Sequence, residues 1–194
     1  MNTAMDMSND STKTRVCPWY MAYTFDNGLR GFFHNPAAIL GPYVSPGMTV
    51  LDVGCGMGFF SLGMARLVGE SGNVYSVDLQ DKMLARVKNR AQAKGLDSII
   101  ETHRCAEDSI GLDVKVDFAL GFWMVHETPD ISAFFREMHA MLNPGGHMLV
   151  AEPRIHVSRR FVTNEQALAK EAGFSVAAEP KVRLSRAFVL KKDQ

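Results

Sequence analysis

Three cysteines in 194 residues, Cys17, Cys55 and Cys105, are too few and too widely spaced for a disulfide framework. No CxxC pair offers half of a zinc site, and no metal centre is expected. Free thiols of this kind fit a reducing cytoplasm. Neither charge sign is in excess: 21 lysines and arginines stand against 21 aspartates and glutamates. No basic block breaks that balance, so no nucleic-acid partner is expected and a small or weakly charged substrate fits better. Long apolar runs are missing too. Met1 to Thr14 has no apolar stretch of the kind a secretory signal carries, and nothing reaches the ~20 residues of a membrane span. A cytoplasmic chain with no membrane partner is the expectation. Nothing in the sequence sets an oligomeric state.

What is present suits a globular domain: 46% of residues are hydrophobic and 22% charged, enough apolar mass for one full core. Residues 1–14 are polar and rich in Ser, Thr, Asn and Asp and are expected to be a disordered tail. Residues 15–194 are expected to form a single domain, with 15–47 an aromatic segment and 48–194 the core. The twelve methionines read as core filling.

From Met48 onward strand and helix signals alternate. Thr49–Val53, Asn73–Val77, Ser98–His103, Val114–Leu120 and His147–Ala151 read as strands. Phe59–Val68, Asp81–Lys94, a helix capped by Asp130 and ending at Met141, and a helix capped by Thr163 and ending at Ala172 read as the crossovers. Phe174–Val182 and Arg186–Leu190 read as a closing hairpin. This order predicts an α/β fold: a Rossmann-like, doubly wound, seven-stranded sheet, parallel except for an antiparallel C-terminal strand.

The chemistry concentrates at Val50-Leu-Asp-Val-Gly-Cys-Gly-Met-Gly58, a strand running into a glycine-rich turn and then a helix. Glycines there permit left-handed backbone and close ligand approach, and the helix N-terminus presents unpaired N–H groups to a carboxylate as readily as to a phosphate. A dinucleotide fingerprint, GxGxxG, needs glycine at position 59, where this chain has Phe59. Asp52 ahead of the turn repels a pyrophosphate and suits a ligand with a cationic ammonium. About 20 residues beyond the turn, Asp78 ends the second strand, where a carboxylate accepts hydrogen bonds from ribose hydroxyls. Leu79 and Met83 are placed to pack on a base; core packing explains Met83 equally well.

These segments, followed by Cys105-Ala-Glu-Asp108, Val116-Asp-Phe-Ala-Leu-Gly-Phe-Trp-Met-Val-His-Glu-Thr-Pro-Asp130 and Leu142-Asn-Pro-Gly-Gly-His-Met-Leu-Val-Ala-Glu-Pro153, resemble the successive motifs of class I S-adenosylmethionine-dependent methyltransferases. The branch they look most like is the small-molecule one, methyltransferase type 11, with the ubiquinone and menaquinone C-methyltransferases and the arsenite methyltransferases. The resemblance spans roughly residues 36–191. It implies S-adenosylmethionine as donor, S-adenosylhomocysteine as product, and methyl transfer to a small-molecule acceptor. Asp52, Gly54, Cys55, Gly56 and Gly58 would hold the methionine end, Asp78 the ribose, and Cys105, Ala106 and Glu107 would border the adenine. Gly121 would offer its carbonyl to the ammonium. Cys105 departs from the pattern, since the family often has an acid there for the adenine amine; that contact would pass to Glu107 or Asp108.

A sulfonium donor is already activated, so transfer needs in-line placement and exclusion of water, with a base only for an acceptor that must lose a proton. His126 is the candidate base; organising its loop is the other reading of that residue. His34 is expected to be exposed or capping. Glu152 and Arg154 read either as site residues or as a salt bridge. Trp19, Tyr20, Tyr23, Phe25, Phe32 and Phe33, with Trp123, are candidates for an acceptor lid and pocket, and outer packing explains the aromatic segment equally well. Two other functions stay open: an arsenite methyltransferase, which would need thiolates gathered around the metalloid, and a noncatalytic S-adenosylmethionine-binding module. A nicotinamide enzyme is disfavoured by the turn.

Overall fold

The computed structural model describes residues 33–193. Trp19, Tyr20, Tyr23, Phe25, Phe32, Cys17 and the expected 1–14 tail lie outside the described residues, and so does most of the 15–47 segment.

Among the described residues a short helix α1 (Pro36–Leu40) comes first, with proline at its start and the Asn35 side chain accepting from the N–H groups of Ala37 and Ala38. There follow β1 (Thr49–Val53), α2 (Phe59–Val68), β2 (Asn73–Asp78), α3 (Asp81–Gln92), β3 (Ile100–Arg104), β4 (Val116–Phe122), a single 3₁₀ turn (Val125–Glu127), α4 (Ile131–Met141), β5 (Leu142–Pro153), α5 (Arg159–Glu171), β6 (Phe174–Ala178) and β7 (Ser185–Lys192). The sheet order is β3-β2-β1-β4-β5-β7-β6. β1 pairs in parallel with β2 and β4, and only β7 runs antiparallel, to both β5 and β6. The expected seven-stranded, mostly parallel sheet is therefore the fold.

Its strands read as near-continuous apolar runs because both faces are covered. One face buries Val50, Phe118, Leu120 and Leu149 against Phe60, Met64 and Val68 of α2 and Val87 of α3. The other buries Leu51, Ala119, Val150 and Phe188 against Phe135 and Met138 of α4 and Val162 of α5. The strand order reverses between β1 and β4, and such a switch point opens a crevice at the carboxyl ends of the strands.

Two local expectations are corrected. The fourth crossover helix starts at the Ser158 cap, which takes the Phe161 N–H, while Thr163 lies inside the helix with its hydroxyl on the Arg159 carbonyl. β5 begins at Leu142 and carries Asn143–Gly146 within it; a register irregularity between Val116 and Phe118 absorbs the glycines. At the start of α3 the cap position is Gln80, with no side-chain bond, and Asp81 pairs with Arg104 at 3.2 Å.

Candidate functional site

At the switch point a cavity of about 470 Å³ opens between the turn after β1, the end of β2, the loop after β3, the loop after β4 and the start of α4. The turn is built for close approach. Gly54, Gly56 and Gly58 all have left-handed φ, at +65°, +53° and +79°. A Cβ on Gly56 would meet nothing within 4 Å, because that side of the residue faces the open cavity. A Cβ on Gly54 would strike Met124 at 2.9 Å. From α3, Arg90 reaches back to the Met57 carbonyl at 2.7 Å and holds the turn down.

Asp78 forms the hinge of this wall. One oxygen takes the Gly56 N–H at 3.0 Å and the other takes the Gln80 N–H at 2.9 Å, so the carboxylate is fixed between the turn and the start of α3. Burial pushes its pKa up to about 6; those N–H bonds oppose the shift, and the charge of Glu127 adds to it. Across the cavity, Trp123 adopts a left-handed backbone at φ 61°, uncommon for a non-glycine residue. Its N–H donates to the Ala151 carbonyl at 2.7 Å and its indole to the Ser185 hydroxyl at 2.8 Å, which fixes the ring at the rim.

The wall carries six carboxylates: Asp78, Glu107, Asp108, Glu127, Asp130 and Glu137. Among the described residues it carries no lysine, arginine or histidine. Besides Asp78, two of the acids also serve the scaffold. Asp130 caps α4, and Glu137 takes the N–H groups of Ile110 and Gly111. A wall of this sign repels phosphate and attracts a cationic ligand.

Of the residues expected at the cofactor, Gly54, Gly56, Asp78, Leu79, Met83, Cys105, Ala106 and Glu107 share this cavity, and Trp123 closes its rim. Asp52, Cys55, Gly58 and Gly121 are not on its wall. The pleat explains Asp52: it shares the face of Val50, and its buried carboxylate accepts the Ser61 hydroxyl of α2 at 2.6 Å. Gly58 caps α2 where a Cβ would press on Val87 at 3.0 Å, and Gly121 lies where a Cβ would press on Val125 at 3.0 Å. Cys55 is buried, and burial together with Asp52 and Asp78 holds its thiol well above the ordinary range. Cys105 stands on the wall, but burial and Asp78 push its thiol up to about 11. Both described thiols are held above the ordinary range, so among the described residues there is no gathering of thiolates of the kind an arsenite enzyme needs.

His34 overturns its expectation. It is buried, with its ring edge-on to Phe122 and Trp123 at 5.0 and 5.2 Å and its Nε2 at 2.8 Å from the Arg183 carbonyl. The Arg183 guanidinium lies over the Phe33 ring at 4.4 Å. The chain thus enters the described fold beside Trp123, at the carboxyl edge of the sheet.

His126 follows Trp123 by three residues but does not line the cavity. Its Nδ1 bonds Glu152, whose other oxygen takes the His126 backbone N–H at 3.2 Å. Glu152 is therefore neither a free site acid nor a partner of Arg154, which donates to the Ser185 carbonyl. His156 and Glu165, which sequence reasoning passed over, complete this cluster. His156 sets its Nε2 3.1 Å from that of His126, and Glu165 lies buried beside Glu152. The only sequence signal was a histidine four residues after Glu152.

The comparisons with known proteins agree with the geometry. A family model described as "Methyltransferase domain" matches residues 44–181. Demethylmenaquinone methyltransferase of Bacillus mycoides is 31% identical over 109 residues, 56% of this chain and 46% of that protein. The Desulfitobacterium hafniense protein of the same name is 30% identical over 129 residues, 65% of this chain and 48% of that one. The chain thus matches about half the length of these curated relatives. A solved S-adenosylmethionine-dependent methyltransferase from Aquifex aeolicus superposes with a TM-score of 0.80 at 24% identity, covering 91% of this chain and 98% of that one. On the strength of the family match, the chain belongs to the methyltransferase domain family.

Proposed function

We propose that the protein transfers a methyl group from S-adenosylmethionine to a small-molecule acceptor. The observation that carries this reading is the acidic cavity at the glycine turn, with Asp78 fixed at the end of β2 and space beyond Gly56. The donor bears a sulfonium, an ammonium and one carboxylate, so its net charge matches the wall where a dinucleotide's would not. In this reading Asp78 holds the ribose hydroxyls, Leu79 and Met83 pack on the base, and Glu107 or Asp108 takes the adenine amine in place of Cys105. Gly54 and Gly56 admit the methionine end to the backbone. Asp52, Gly58 and Gly121 act behind the wall, by shaping the turn and the close packing around it.

Catalysis is then mainly positioning: the acceptor is held in line with the methyl group and water is kept out. The aromatic segment ahead of Phe33, with Trp19, Tyr20 and Tyr23, walls the acceptor side together with Trp123. Support comes from the seating of His34, the residue after Phe33, beside Trp123. Calorimetry with S-adenosylmethionine, its demethylated product and NADH tests the donor, and a methylation screen of small molecules tests the activity. Tight binding of NADH with none of S-adenosylmethionine would overturn the reading. Donor binding without any methylated product would move the chain to the noncatalytic class.

A further inference from the structure

A second cavity, of about 300 Å³, lies between α5, the connection from β6 to β7, and the residue that follows β5. Its wall carries four cations, Arg154, Arg159, Lys181 and Arg186, and a single acid, Glu179. The donor cavity has the opposite sign, with six carboxylates and, among the described residues, no cation. The chain as a whole is neutral, so its charge is sorted between two cavities. One hydrogen bond joins their walls. Trp123 lines the first cavity, Ser185 lines the second, and the indole donates to the hydroxyl at 2.8 Å.

Acids do not hold these cations in place. The Glu179 carboxylate accepts the Gln166 amide of the same wall at 2.9 Å. Among the described residues no carboxylate pairs with Arg154, Arg159, Lys181 or Arg186. Backbone carbonyls position two of them instead. Arg154 donates through Nε to the Ser185 carbonyl at 2.8 Å. Arg186 donates from one terminal nitrogen to the carbonyls of Val157 at 2.8 Å and Arg154 at 3.2 Å. A guanidinium has five N–H donors, so these bonds fix each fork without using it up. Helix stability does not explain Arg159 either. It opens α5, whose first turn has no acid, at the end where the helix dipole disfavours a cation.

We propose that this second cavity is a binding site for a phosphate monoester or diphosphate group, separate from the donor cavity and independent of the methyl-transfer reading. Arginine forks match the paired oxygens of a phosphate, and a lysine adds a point charge. The wall has a surplus of three positive charges. A group with two or more negative charges answers that surplus better than a single carboxylate does. The volume stands at the lower end of the roughly 300–1,000 Å³ of small-ligand sites. It leaves room for part of the molecule that carries the phosphate, against the apolar Val162, Pro180 and Ala187 of the same wall. S-adenosylmethionine, with its sulfonium and ammonium, is repelled here and attracted on the other side of the Trp123–Ser185 bond.

Inorganic pyrophosphate is the probe, followed by calorimetry and phosphorus NMR on the full chain. It should bind saturably at one site. The double variant Arg159→Gln, Lys181→Gln should weaken that binding by about 10-fold or more; both residues are exposed, so the fold should survive their loss. The same change of charge in Lys88→Gln, Lys94→Gln should leave the binding unmoved, because those exposed lysines lie on and just after α3, at the β2–β3 end of the sheet. No saturable binding, or an equal loss in both double variants, would overturn the proposal. Displacement of pyrophosphate by S-adenosylhomocysteine would overturn it too, by putting the phosphate in the donor cavity. Vesicles separate the two sources of such a group. Cosedimentation with vesicles of phosphatidylcholine and phosphatidic acid, but not of phosphatidylcholine alone, would identify a lipid headgroup if pyrophosphate competes and the Arg159, Lys181 variant fails to sediment. Pyrophosphate binding without cosedimentation would identify a soluble phosphorylated compound.

Discussion

At the residue scale, Asp78 links geometry to an observable. Its carboxylate is held by two N–H groups and displaced upward by burial, so near neutrality it is ionised but close to its titration. A ribose needs the ionised form as acceptor. S-adenosylmethionine affinity should therefore fall as pH drops through about 6, and calorimetry at pH values either side of that point checks it. Asp78→Ala should weaken donor binding by about 1.5–3 kcal/mol through loss of charge-assisted hydrogen bonds; unchanged affinity would remove Asp78 from the site. Gly56→Val should abolish binding while the protein still melts cooperatively, because its side chain would project into open cavity and not into the core. Normal binding by that variant would place the ligand elsewhere. Both positions were legible from the sequence, since a glycine-rich turn and an acid one strand later are local patterns. Asp52 was not: the motif names it, but the pleat of β1 aims it at Ser61. His156 and Glu165 were hidden for another reason. They lie 30 and 39 residues beyond His126, and only the parallel pairing of β4 with β5 brings them together.

At the element scale, the strand–helix alternation from Thr49 onward located all seven strands, with β5 alone begun five residues late, because both faces of the sheet demand apolar runs. The start of α5 was read five residues late. Ser158 caps it, but the two arginines that follow masked the apolar periodicity until Phe161 and Val162. Ser158→Ala should cost about 1 kcal/mol of stability by orphaning a helix N–H. Donor affinity should not change, since α5 does not line the donor cavity. Melting temperature and calorimetry on one variant check both halves, and a drop in donor affinity would tie α5 to the cavity directly.

At the scale of the whole molecule, the described strands and the described wall of the donor cavity are built from Thr49 onward, and His34 packs onto Phe122 of β4. A chain beginning at Phe33 should therefore keep its sheet, by circular dichroism, and its donor affinity. Methyl transfer should fail if the preceding aromatics wall the acceptor. Full turnover in the shortened chain would assign the acceptor to the Trp123 and Glu152–His156 loops instead. The sign of the cavity wall has a consequence for the catalytic cycle. Methyl transfer discharges the sulfonium, so the ligand that leaves carries one positive charge less than the ligand that entered. Six carboxylates then attract the spent molecule less than the fresh one, and the wall acts as a one-way bias on exchange. Ionic strength tunes that bias: between about 0.01 M and 1 M salt the screening length shrinks from roughly 30 to 3 Å. Affinity for the charged donor should decline over that range more steeply than affinity for the neutral-sulfur product.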